Sequence, residues 1–286
     1  MEFINDLMNY AFLQKALFTS IMVGVLCGVI GSFIILRGMA LMGDAISHAI
    51  VPGVAISYML GINYFYGAVL MGIITSLGIG YVSQNSRIKN DSSIGIVFSS
   101  FFALGIILIN KAQTAIDLTQ ILFGNVLSVR NSDMWLTLIV GAIVLLIVVL
   151  FYKEFLVSTF DPTMAQAYGL PTQVIHYIMM LLLTLVTVAS LQTVGVILVV
   201  AMLITPASTA YLLTNRLSTM IGLASFFGAF SAVAGLYLSF RYDLTSGAVI
   251  VLVTTILFIL AFIFSPKQGV LWRMIRTQRT KAVIQK

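Results

Sequence analysis

The chain has 286 residues, 60% hydrophobic and only 8% charged, where soluble domains carry roughly 25% charged residues. Fifteen Lys+Arg against nine Asp+Glu give a formal charge of +6, yet six of the basic residues (Lys267, Arg273, Arg276, Arg279, Lys281, Lys286) fall in the last twenty positions. The excess belongs to a tail and does not argue for nucleic acid, and with Cys27 as the single cysteine soluble enzymes, disulfide scaffolds and disordered regions are excluded.

Residues 1–15 mix apolar and polar positions and are expected to form an interfacial N-terminal helix. Glu2 and Asp6 precede Lys15 where a signal peptide would be positive, so the apolar run that follows reads as a retained membrane helix. A bilayer core of about 30 Å takes roughly 20 apolar residues of helix. Such runs lie at 16–36, 41–60, 64–82, 93–110, 134–152, 174–190, 194–213, 220–240 and 245–264. The second holds Asp44, His48 and Pro52 in its first half, so the count is eight or nine, and this stretch is the one expected to break or tilt. Nothing alternates with period two over barrel lengths. The fold class is therefore all-α, a polytopic transmembrane helical bundle over 16–265.

Two connections are long and polar. Residues 111–131 carry Lys111, Asp117, Gly124, Asn125 and Arg130 and read as re-entrant or surface-lying. Residues 153–172 form the other. The Lys/Arg bias puts the C-terminal tail (266–286), Arg216, the 153–172 loop and the Arg87/Lys89 loop on the cytoplasmic side of the cell membrane. The N-terminus is outside if all nine runs cross and inside if the second does not. The tail is suited to anionic cytoplasmic headgroups.

Charged groups inside apolar spans are costly and call for a reason. Asp44 and His48, in LMGDAISHAIVPGVA, are one such case. At i, i+4 they stack on one helix face about 6 Å apart along the axis, so a carboxylate and an imidazole can approach one divalent first-row metal ion. Two ligands are too few for a stable site, and a symmetric pair of chains would supply four. The plainer alternative, a local polar pair at a helix break near Gly43, stands beside it. His176, at the start of a span, reads as interfacial.

An intramembrane metalloprotease is excluded by the absence of HExxH. A proton-driven carrier would show more intramembrane acids than Asp44. Gly24, Gly28 and Gly31 read as close helix packing. Met202, Thr205, Pro206 and Ser208 of LVVAMLITPASTA, with Ser47 beside the Asp44–His48 pair, are candidates to line a pathway, although packing also explains them.

GDAISHAIVPGVA, LFGNVL, FDPTMAQAYGL and VGVILVVAMLITPASTA resemble, in that order, motifs of the membrane permease of metal-importing ABC transporters. The first and last are the specific ones. The resemblance runs from about residue 16 to 265 and is nearest to Gram-positive, streptococcal-type manganese permeases. It implies a homodimeric permease, two cytoplasmic ATP-binding subunits and an extracellular metal-binding lipoprotein. It also implies that Asp44 and His48 of both chains hold the ion, Mn2+ first, with Zn2+ or Fe2+ as alternatives, and that no cofactor is permanently bound. The 153–172 loop would supply the helix that meets the ATPase, begun by Asp161 and Pro162, with small Ala165, Ala167 and Gly169 allowing close docking. The chain has no GxxxxGK[ST] P-loop, so no ATP hydrolysis of its own is expected. An autonomous ion-gradient-driven metal carrier is the alternative in a different class, and a lipid-facing scaffold without transport is a third reading.

Overall fold

In lipid, water does not press helices together. They associate where backbones can approach closely and side chains interlock. A computed structural model describes residues 9–111 and 126–265. In chain order its elements are α1 (Ala11–Leu36), α2 (Leu41–Ala49), α3 (Val51–Met59), α4 (Tyr64–Asn85), α5 (Asn90–Lys111), a 3-10 turn (Val126–Ser128), α6 (Asn131–Leu150), α7 (Tyr152–Phe160), α8 (Pro162–Ala167), α9 (Thr172–Val194), α10 (Val196–Leu213), α11 (Leu217–Tyr242) and α12 (Ser246–Phe264). Among the described residues there is no strand, and eight helices (α1, α4, α5, α6, α9, α10, α11, α12) are long and apolar enough to cross a bilayer. The protein is a multi-pass membrane protein. Residues 1–8 of the expected interfacial helix, most of LFGNVL and the 266–286 tail lie outside the described residues. Residues 11–15, expected in that interfacial helix, belong instead to α1, where Leu13 is fully buried.

The 41–60 stretch is divided at Ile50 into two nine-residue helices, α2 and α3. Pro52 causes the division: it has no N–H for the carbonyl of His48, and its ring presses on that turn. It sits in the first turn of α3, where a missing N–H costs nothing. Ile50 itself stays helical at φ −77° and ψ −12°, with ladder bonds Ile50 N–H to Ile46 at 3.2 Å and Val54 N–H to Ile50 at 3.1 Å. The chain therefore runs on through the break rather than reversing.

At the centre lies α1, enclosed by α6, α9, α10 and α11. Its glycines do the packing expected of them. A Cβ on Gly24 would come within 2.7 Å of the Gly228 carbonyl on α11, and one on Gly28 within 2.7 Å of the Ala224 carbonyl. Gly31 meets the Leu203 carbonyl of α10 closely enough to exclude any side chain. By contrast α5 and α6 leave most of their residues on the outside of the chain.

Candidate functional site

Asp44 and His48 both lie on the nine-residue α2. One helical turn apart, the His48 Nε2 and Asp44 Oδ1 stand 3.6 Å from each other. That is too long for a hydrogen bond. An ion about 2.1 Å from each atom, a bond length typical of zinc-like divalent metals, would subtend them at roughly 120°. The pair faces outward: 46% of the Asp44 side chain and 22% of the His48 side chain are exposed. Its neighbours Ala45, Ile46, Ser47 and Ala49 are buried in the chain's own core. One face of α2 therefore anchors the helix and the other presents the two donors.

Two rings of α5 fix the imidazole. The His48 ring lies 5.8 Å from that of Phe98 and 5.4 Å, edge-on, from that of Phe102. Those two phenyl rings stack on one another at 5.9 Å. They sit mid-way along the 22 residues of α5, so the pair lies deep in the span rather than at its ends.

A cleft of about 340 Å³ opens at Asp44 and His48. Its wall is a stripe of α10 at helical spacing, from Val196 and Ile197 through Val200 and Ala201 to Ile204 and Thr205, joined by Val251 of α12. Apart from Thr205 that wall offers no side-chain oxygen, so the acid and the imidazole are where a cation entering the cleft can exchange water for protein ligands. Among the described residues no group of three or more His, Cys, Asp or Glu gathers. One chain therefore brings two such donors to the cleft.

The 153–172 connection is a pair of short helices. Asp161 caps α8: its carboxylate accepts the Met164 N–H at 2.9 Å and the Thr163 hydroxyl at 2.6 Å. Those bonds, the Thr163 hydroxyl foremost, hold the Asp161 carboxyl below the usual carboxylate range. Pro162 is the first helical residue, where its fixed φ helps. Gly169, at φ +76°, closes the helix, with the Gly169 N–H bonding Gln166 at 2.9 Å and the Leu170 N–H bonding Ala165 at 3.0 Å.

The sequence and the fold have counterparts. The model of the ABC 3 transport family matches residues 9–265. The chain belongs to the ABC 3 transport family. It is 68% identical over 272 residues to the manganese transport system membrane protein MntC of Listeria monocytogenes, covering 95% of this chain and 97% of that protein. It is 52% identical to the manganese import system permease protein ScaB of Streptococcus gordonii, covering 96% and 99%. Among solved structures, PsaBC from Streptococcus pneumoniae in complex with Fab superposes with a TM-score of 0.84 at 51% identity, covering 93% of this chain and 96% of that one.

Within this ABC 3 family chain the sequence-predicted residues divide. Asp44, His48 and Thr205 meet at one cleft. Ser47, Met202 and Pro206 do not line it. Ser47 is buried and donates to the Gly43 carbonyl at 2.9 Å, and Met202 and Pro206 fall on the buried side of α10. Asp161, Pro162 and Gly169 shape the ends of α8, as their residue types suggest. Ala165 is fully buried against its own chain, so it seats α8 rather than offering a docking surface. The outward face carries Met164 and Tyr168, 49% and 74% exposed. Phe98 and Phe102 had no signal in the sequence, because only the packing of α5 on α2 brings them to His48.

Proposed function

We propose that this chain is the membrane-spanning subunit of an ATP-driven importer of manganese and that Asp44 and His48 ligate the ion in transit. One observation carries the reading: a carboxylate and an imidazole, 3.6 Å apart, face a mid-span cleft in a chain whose near relatives are named for manganese transport. Two chains would face their clefts to one another and complete the shell with four protein donors, in keeping with the prevalence of two-fold dimers. The apolar wall of α10 keeps the ion from resting elsewhere. Carboxylate oxygen and imidazole nitrogen both accept Mn2+, and neither rejects Zn2+ or Fe2+. Selection then falls to the delivering protein and to coordination geometry.

Two cytoplasmic ATP-binding subunits would seat against the 153–172 loop, with Met164 of α8 and Tyr168 just after it as the contact. An extracellular metal-binding lipoprotein would deliver the ion. The Arg37 guanidinium, at the end of α1, bonds Ser158 and Thr159 of α7, which supports a topology in which those two ends share the cytoplasmic side. Between them lie α4, α5 and α6, so an even number of crossings requires α2 and α3 together to cross as well. Counted over the described helices, this reading has nine crossings, with α1 entering from outside and α12 ending on the cytoplasmic side.

Purified chain in liposomes tests this. The reading expects manganese uptake only when the ATPase, ATP and the binding protein are supplied. Uptake driven by an ion gradient through the chain alone would replace it with a secondary carrier.

A further inference from the structure

The cleft and the 153–172 loop lie far apart in sequence, yet Arg37, a few positions before Asp44 in the chain, bonds the first helix of that loop. Arg37 ends α1, where the last carbonyls of a helix favour a cation. Its Nε donates to Thr159 Oγ1 at 3.1 Å and its Nη2 donates to Ser158 Oγ at 3.1 Å, across more than 120 positions of sequence. Both acceptors are neutral hydroxyls on the last turn of α7. One turn deeper, the fully buried Phe33 ring of α1 meets the Phe155 ring of α7 edge-on at 5.8 Å. The two helix ends are thus joined at a polar point and at an apolar one.

The segments beyond these two helix ends give the joint its meaning. After Thr159 come Phe160 and Asp161, the cap of α8. After Arg37 comes Gly38 at φ +66°, a backbone conformation glycine adopts without strain. There the chain turns sharply, the Gly38 N–H bonding Ile35 at 3.2 Å and the Met39 N–H bonding Ile34 at 3.0 Å. Then α2 begins, with Asp44 in its first turn. Only the Gly38 turn and the start of α2 separate Arg37 from Asp44, and only Phe160 separates Thr159 from the cap of α8.

We infer that Arg37 is the positioning residue that ties the coupling loop to the metal-bearing helix, so that displacement of α8 by the ATP-binding partner is passed through the Ser158–Thr159 hydroxyls to α2 and its Asp44–His48 pair. The inference rests on the reading of 153–172 as the ATPase-facing loop. A planar fork spanning two adjacent hydroxyls suits the task, because it transmits direction as well as force and a lysine cannot replace it. Charged on the donor side only, these bonds lack the second charge of a bidentate Arg–carboxylate pair and can be remade as the two states exchange.

The test uses the assembled importer in proteoliposomes, with manganese uptake and ATP hydrolysis measured on the same vesicles. Arg37→Ala is expected to hold the ATPase in normal amount while manganese moved per ATP falls roughly 2- to 30-fold, the range of coupling changes through such networks. The paired change Ser158→Ala with Thr159→Ala, which removes only the acceptors, is expected to give the same fall, and combining it with Arg37→Ala to add nothing. Arg37→Lys should recover only part of the ratio. An unchanged ratio in both, or effects that simply multiply, would overturn the tie. So would loss of the ATPase from Arg37→Ala alongside a normal ratio in the hydroxyl pair, since Arg37 would then only hold the fold. Gradient-driven uptake by the wild-type chain without any ATPase removes the loop's assignment itself, and is told apart because it needs no variant.

Discussion

The crossing of α1 with α11 and the cleft between α2, α10 and α12 are built from similarly apolar helices and differ in what fills the space between them. At the crossing, glycine meets glycine: Gly24 and Gly228 bring backbone to within contact, and no side chain intervenes. At the cleft the helices leave about 340 Å³ open between them, and α2 presents a carboxylate and an imidazole to the opening. Where lipid supplies no hydrophobic drive, closeness is the source of stability. An open volume bordered by one acid and one imidazole is the reverse, and on the proposed reading it is where an ion passes.

The contrast predicts opposite outcomes for the same kind of change. Gly24→Leu puts a side chain where no volume exists, and overpacking of this kind typically costs about 1–3 kcal/mol. The amount of folded protein and its melting temperature in detergent should both fall, with uptake falling in proportion to the protein. Ala201→Phe, on the cleft wall, should leave yield and melting temperature unchanged yet suppress uptake per molecule. Equal loss of yield in the two variants would erase the distinction between packed and open regions.

Phe102→Ala sharpens the picture of the open side. Losing one ring against His48 frees the imidazole to rotate, and supporting groups around metal ligands are worth roughly 10- to 100-fold. A fall near the lower end of that range in uptake at limiting manganese is expected, recovered by Phe102→Tyr, with folded yield retained. No change at limiting metal would mean that the ring only fills space.

A smaller effect belongs to the loop. The Asp161 carboxylate is held below the usual range by the Thr163 hydroxyl and the Met164 amide. Its contribution is present above the ordinary carboxylate range and is lost as the pH falls through the depressed value. Asp161→Asn keeps an acceptor for the cap but removes the titration. ATPase association measured against pH should therefore lose part of its acid sensitivity in Asp161→Asn, and weaken slightly at every pH in Asp161→Ala. An unaltered pH profile in Asp161→Asn would separate the cap from assembly.

Much of this was legible in the sequence because bilayer thickness converts directly into run length. Eight apolar runs became eight long helices, and Asp44, His48 and Pro52 already marked 41–60 as the stretch that breaks. The position of the break at Ile50 follows from Pro52 alone. The i, i+4 spacing sufficed to place Asp44 and His48 side by side. It did not suffice for α10, where Thr205 faces the cleft while Met202 and Pro206 face the core. In a helix apolar on every side, periodicity does not say which stripe is which. Ala165 misled for a related reason, since a small residue serves equally to seat a helix on its own chain or to admit a partner. Phe98, Phe102 and Arg37 act through contacts between distant segments, and these are tertiary facts with no local signature.

The most direct test of the central claim is uptake of radiolabelled manganese in cells lacking their own importer and supplied with this chain and its partner subunits, normalised to the amount of chain in the membrane. Asp44→Ala and His48→Ala should each reduce uptake to background while the chain and its associated ATPase remain at normal levels. Uptake at wild-type rates in both variants, at equal expression, would contradict the claim that this pair holds the ion on its way through.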